Sequence, residues 1–193
     1  WGSDGMRLYV NNQLVAQDPS TAGLENNPEP IIIGASAIYT GDNVSSPNSL
    51  EQFFAGDVDD IRFYSTNQPQ ASVVDELYNQ SPYSCAETCD TTPVLESHWT
   101  MDVCSLDGTG GEIIDTGDAG HNNHGRSVGG ASVNYNARFC QGASFFGNDE
   151  HINIPHNGNY LIPKGGVSFW FNRNVGTSGE MGLFSKDSGG HDA

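Results

Sequence analysis

The segment "FFAGDVDDIRFYS", residues 53–65, decides how this chain is read. Val58, Ile61, Phe63 and Tyr64 supply the branched and aromatic bulk of a β-strand. The same segment carries Asp57, Asp59 and Asp60, carboxylates that a buried strand cannot hold without partners. Strict alternation puts Asp57 and Asp59 on one face with Ile61 and Phe63, and Asp60 on the other with Arg62 and Tyr64. Asp60 and Arg62 are then spaced for a same-face ion pair. Asp57 and Asp59 still need a partner, since two carboxylates this close repel unless one is protonated or a cation sits between them. A hard divalent ion with oxygen ligands meets that need, and Ca²⁺ is the expected ion for an acidic extracellular chain.

The rest of the composition agrees with that setting. The 193 residues suffice for one large domain or two small ones, and 7 Lys+Arg against 24 Asp+Glu give a net charge of −17. Such a balance argues against nucleic acid or an anionic membrane as partner, because both require clustered Lys and Arg. No apolar run approaches the roughly 18–20 residues that span a bilayer. Trp1 opens onto strand-like sequence without a leader, so the chain reads as a mature or excised piece. The 24 glycines, with short branched runs between turn clusters, predict an all-β protein. The one helical signal is "QASVVDELYNQ" (70–80), where Val73, Val74 and Leu77 share a face after a start signal at Pro69 and Ser72.

"MRLYVNNQLVA" reads as a hairpin turning at Asn11 and Asn12, and "PIIIGAS" (30–36) as a short buried strand. Residues 39–52 form a polar loop, and 81–93, "SPYSCAETCDTTP", a linker with two Pro and two Cys. Strand-like sequence resumes with "VLESHWTMDVC" (94–104), "GASFFGNDEHINIP" (142–155), "GGVSFWFNRN" (165–174) and "GLFSKDSGG" (182–190). Four cysteines in an acidic, lysine-poor chain suggest two disulfides and an oxidising compartment. The pairing read from their order is Cys85–Cys89 and Cys104–Cys140, with all three connectivities open and zinc as the alternative. A 104–140 bridge would contribute about 3–4 kcal/mol on the chain-entropy view.

These phrases resemble a laminin G-like domain. "MRLYVNNQLVA", "PIIIGAS" and "FAGDVDDIRFYSTNQPQASVVDELY" are similar to the last third of such a domain. "VLESHWTMD", "GHNNHGRSVGGASV", "GASFFGNDEHINIP", "VSFWFN" and "GLFSKDSGG" are similar to its first half. The order is therefore inverted, with a C-terminal part over 1–80, a linker over 81–93 and an N-terminal part over 94–193. Either the chain carries parts of two neighbouring domains, or the parts complete one domain within the chain or with a neighbouring copy. The placement of Cys104 and Cys140 also resembles modules of bacterial surface proteins encoded with mannose-sensitive pili.

The resemblance implies a concanavalin A-like jelly-roll β-sandwich of antiparallel sheets with one short helix. It implies a non-catalytic extracellular or cell-surface module binding a glycan or a protein in adhesion. The alternatives are a carbohydrate-binding appendage of a secreted polysaccharide-degrading enzyme and a structural spacer. It implies Ca²⁺ held by Asp57, Asp59, Asn148 and Asp149, with Phe146 standing where the family phrase has Asp. Trp170, on the polar side of its strand by alternation, and Tyr160 are the candidate sugar-stacking rings, while Trp99 belongs to the core. His121 and His124 read as loop residues, and His151 and His156 as surface. A glucanase would carry E-x-D-x-x-E on one strand, and "GDVDDIRFYS" has no Glu.

Overall fold

A computed structural model describes residues 1–2, 5–25, 29–37, 50–65, 71–79 and 94–186. Its strands are β1 (Met6–Val10), β2 (Gln13–Asp18), β3 (Ile31–Ile33), β4 (Ser36–Ala37), β5 (Leu50–Glu51) and β6 (Ala55–Ser65). After helix α1 (Ala71–Asn79) come β7 (Val94–Trp99), β8 (Arg126–Val128), β9 (Ser132–Asn134), β10 (Gly142–Phe146), β11 (His151–Ile154), β12 (Gly165–Arg173) and β13 (Phe184–Ser185). The named strand pairs are antiparallel, and the chain is an all-β sandwich with one helix.

Two sheets enclose the core. One runs β13-β3-β11-β8; the other is built on β6, which pairs β12 along one flank and β10 then β7 along the other. Strands from before and after the segment 81–93 thus interleave in both sheets. Ile31, Ile33, Ile152 and Ile154 from the first sheet meet Val58, Ile61, Phe63, Trp99, Ala143 and Phe145 from the second. Complete burial of these side chains is the main stabilising term, each Val, Ile and Phe contributing about 1.5–3 kcal/mol.

The paradox of β6 is resolved by one residue. Asp59 faces Trp170 and Arg62 faces Ser168, so Asp60 and Ile61 together oppose Phe169 alone. This is a β-bulge, and Asp60 takes a left-handed backbone (φ 52°), which Asp tolerates better than branched residues. The extra residue reverses the alternation expected from sequence. Ile61 and Phe63 point into the core beside Val58, whereas Asp57, Asp59, Arg62 and Tyr64 lie on the outer face. The Asp60–Arg62 pair forms at 3.2 Å, and His98 Nε2 lies 2.5 Å from Asp60 Oδ1.

Other expectations fare differently. The β1–β2 hairpin turns through Asn11 and Asn12, both at positive φ, and only Val73, Val74 and Leu77 of α1 are half-buried. Cys85 and Cys89 lie outside the described residues. Cys104 and Cys140 carry free thiols and are exposed, so the expected bridge between them is not formed. Their segments are joined by other bonds: Gln141 N–H donates to Asp102 (2.9 Å) and the Tyr135 hydroxyl to the Cys104 carbonyl (3.3 Å). Cys140 also has a left-handed backbone (φ 46°), which sets the course of its side chain. His151 is buried rather than on the surface, with Nδ1 2.9 Å from the Asp149 carbonyl. Among the described residues no helix is long and apolar enough to cross a membrane.

Candidate functional site

The bulge at Asp60 leaves a polar strip on the outer face of the β6 sheet. Asp57 is flanked by Ser144 of β10 and Asn172 of β12, and Asp59 by Trp170. The turn after β9 adds Asn136, Ala137 and Arg138 from above. Asp57, Asp59, Asn134, Trp170, Phe171 and Asn172 line, with these three, a depression of about 310 Å³. Its floor is carboxylate and amide, and one wall is indole.

Asp59 is the unusual member. It is only 3 % exposed. Its Oδ2 accepts the Phe139 N–H at 2.6 Å, while its buried Oδ1 has no hydrogen-bond partner. An unsatisfied buried carboxylate oxygen costs on the order of 1–3 kcal/mol, more when ionised. Burial therefore pushes the Asp59 carboxyl up to about 7, with repulsion from Asp60 and Asp102 adding to it and the Phe139 N–H opposing it. Asp60 behaves oppositely. Burial alone would raise it, but the bond to His98 and the charge of Arg62 outweigh burial and hold it below its ordinary value. Neighbouring carboxyls on one strand are thus driven apart by their partners.

Trp170 is positioned by three contacts. Tyr78 of α1 stacks on it (5.7 Å between centroids, 25° between planes), Phe139 meets it edge-on (6.2 Å), and the Arg138 guanidinium lies 4.6 Å from its ring centroid. Arg138 has no carboxylate within ion-pairing distance among the described residues. It lies over the Phe139 and Trp170 rings and lines the depression.

The remaining sequence-predicted residues lie elsewhere. Tyr160 is wholly buried, its hydroxyl 3.0 Å from Ser97 Oγ and its ring packed on Phe63, so it is a core residue and no ligand can reach it. Asn148 and Asp149 occupy the exposed turn between β10 and β11 and do not line the depression. There Glu150, buried and missed by sequence reading, accepts the N–H groups of Phe146 (3.2 Å) and Asn148 (3.0 Å). Burial works against its ionisation, yet these bonds hold its carboxyl below the usual range. Asp115 was missed as well. Its carboxylate collects Ser97 Oγ and the N–H groups of His98, Gly117 and Asn123, tying a loop to β7; the Asp-x-Gly spacing is the sequence signal that marks such a turn.

The structure therefore brings together Asp57, Asp59 and Trp170, and separates them from Asn148, Asp149 and Tyr160. Among the described residues no group of three or more His, Cys, Asp or Glu side chains is placed to hold a metal. The depression instead offers two carboxylates with the amide oxygens of Asn134, Asn136 and Asn172 nearby, a donor set suited to a hard cation or to sugar hydroxyls. No family model, curated protein or solved structure matches this chain.

Proposed function

We propose that this is a laminin G-like, non-catalytic extracellular module that binds a glycan in the depression over β6, with Ca²⁺ held by Asp57 and Asp59. The observation that carries the reading is Asp59: a buried carboxyl with one oxygen unpartnered, on the floor of an amide-rich depression with a tryptophan in its wall. Natural folds rarely leave such an oxygen unsatisfied unless a ligand or ion completes it. A cation bridging Asp57 and Asp59 would take that oxygen, draw further oxygens from the neighbouring asparagines and from ligand hydroxyls, and remove the repulsion between the pair. Trp170, already stacked by Tyr78 and covered by the Arg138 guanidinium, would border the bound sugar as part of the depression's wall.

A glycan array in millimolar Ca²⁺ and again in EDTA tests this. Binding to one glycan class that EDTA abolishes, and that Trp170→Ala and Asp57→Asn each weaken with the fold intact, is the expected result. No binding by a folded protein, with EDTA lowering only the melting temperature, would leave the cation as a spacer's structural ion and overturn the glycan reading.

A second reading is favoured by one observation. Asp57 and Asp59 lie on one strand face about 7 Å apart along the chain, and burial holds the second near neutrality, the division of labour of a glycosidase acid and its partner. Release of reducing sugar from a bound oligosaccharide, lost in Asp59→Asn, would replace the binding module with a hydrolase.

A further inference from the structure

We infer that Arg138 is the gate of the depression: its guanidinium covers the side of the Trp170 indole that a ligand ring must use, and swings off when that ring arrives. The inference rests on the glycan reading above and adds the step by which a sugar reaches the indole.

The surroundings of the indole single out this residue. Tyr78 is stacked on the ring and Phe139 meets it edge-on, but neither of them lines the depression. Arg138 does, with its guanidinium carbon 4.6 Å from the indole centroid and 5.1 Å from that of Phe139. The guanidinium is therefore the group between the depression and the flat of the ring. While it stays, a bound sugar meets the indole only at its border; a pyranose lies flat on the ring only after Arg138 has left.

Little holds the guanidinium in place. Among the described residues Arg138 makes no hydrogen bond and no ion pair, although Asp57 and Asp59 line the same depression. The residue is exposed, and its two ring contacts are all that orient it. An exposed contact of this kind favours the stacked position over the free one by only about two- to fivefold. The turn beneath it has its own anchors: Phe139 N–H donates to Asp59 (2.6 Å) and Gln141 N–H to Asp102 (2.9 Å), and neither bond involves the Arg138 side chain. Opening is thus a rotation of one side chain over a fixed backbone. Uncovering the indole on the Tyr78 side would instead require α1 to lift, breaking the bond from Asn12 Nδ2 to Asp75 (2.6 Å). Once displaced, the guanidinium presents its N–H donors to the hydroxyls of the sugar that replaced it.

Acrylamide quenching of tryptophan fluorescence reads the cover directly, with Trp170→Phe as the reference for the other two indoles, Trp1 and Trp99. Arg138→Ala should raise the quenching of Trp170. Arg138→Lys keeps the charge but loses the planar stack and should raise it too. Binding is then titrated with the methyl glycosides of glucose, galactose and mannose in saturating Ca²⁺. The parent's affinity is reduced by the fraction of time the gate is open, so Arg138→Ala should bind its preferred glycoside about three- to sixfold more tightly. Arg138→Lys should shift in the same direction. Unchanged quenching in Arg138→Ala overturns the proposal, and so does binding that is no tighter, which would make the guanidinium a ligand contact or a bystander. Tightening in Arg138→Ala with Arg138→Lys like the parent overturns it as well, because charge alone would then be at work. Raised quenching with no glycoside bound by parent or variants strikes the glycan reading of the depression and leaves the gate standing.

Discussion

Replacing Asp59 with Asn keeps the size of the side chain and an acceptor for the Phe139 N–H, and removes only the titrating group. Burial lifts this carboxyl from 3.8 to about 7 in the folded chain. Between those values the folded state holds a proton that the unfolded state has released, so stability falls as pH rises through that window. It is fully present below pH 3.8 and lost by about pH 7. At about 1.4 kcal/mol per pH unit, the roughly three units set an upper figure of about 4 kcal/mol, which relaxation of the site reduces toward about 2. Urea unfolding of both proteins from pH 4 to pH 8 measures it. The D59N variant should gain on the parent by about 2–4 kcal/mol across that range. Asp60 is present in both proteins and stays ionised throughout, so it largely cancels in the difference. A difference that does not change with pH would refute the claim that Asp59 is held neutral by burial. Repeating the series in millimolar Ca²⁺ separates the ion from the burial. An ion binding the ionised carboxylates should flatten the parent's slope, because it stabilises only the folded, deprotonated form.

Two further perturbations examine the core away from the depression. Tyr160→Phe removes the buried contact to Ser97 and should cost about 1–2 kcal/mol in urea unfolding while leaving glycan affinity unchanged, as befits a core ring. Lys186, which donates a hydrogen bond to the Glu29 carbonyl, is brought by burial from 10.5 down to about 8. The folded chain therefore releases that proton before the unfolded chain does, and stability should rise between pH 8 and pH 10.5; Lys186→Met should abolish the rise, seen as a loss of the shift in urea midpoint between those pH values.

How much of this was legible in the sequence follows from the range of the interactions involved. The strands and the single helix were readable because their signals are local: branched residues at period two, the Asn11–Asn12 turn, and Val73, Val74 and Leu77 on one helix face. The placement of Trp170 on the polar side was readable for the same reason, since β12 alternates without interruption. The burial of Tyr160 was not. It depends on a single 3₁₀ turn, Gly158–Tyr160, delivering the ring to Ser97 and Phe63 across the sandwich, and nothing within a few residues announces that. The separation of Asn148 and Asp149 from Asp57 has the same origin, because Glu150 claims that turn through bonds that its own spacing does not advertise.

The bulge at Asp60 lies between these cases, and the contradiction it resolves was visible. An uninterrupted strand over 55–65 would bury Asp57 and Asp59 in the same layer as Ile61 and Phe63, with no base beside them. Two unpaired carboxylates in a core would cost several kcal/mol each. Reversing the whole strand fares no better, since it would expose Ile61 and Phe63 and bury Arg62. Only an odd number of inserted residues between Asp59 and Ile61 satisfies both halves, and the doublet Asp59-Asp60 supplies the one residue there that accepts a left-handed backbone at modest cost. That insertion keeps Asp57 and Asp59 on the outer face, and so the depression exists because the strand is one residue too long for its partner.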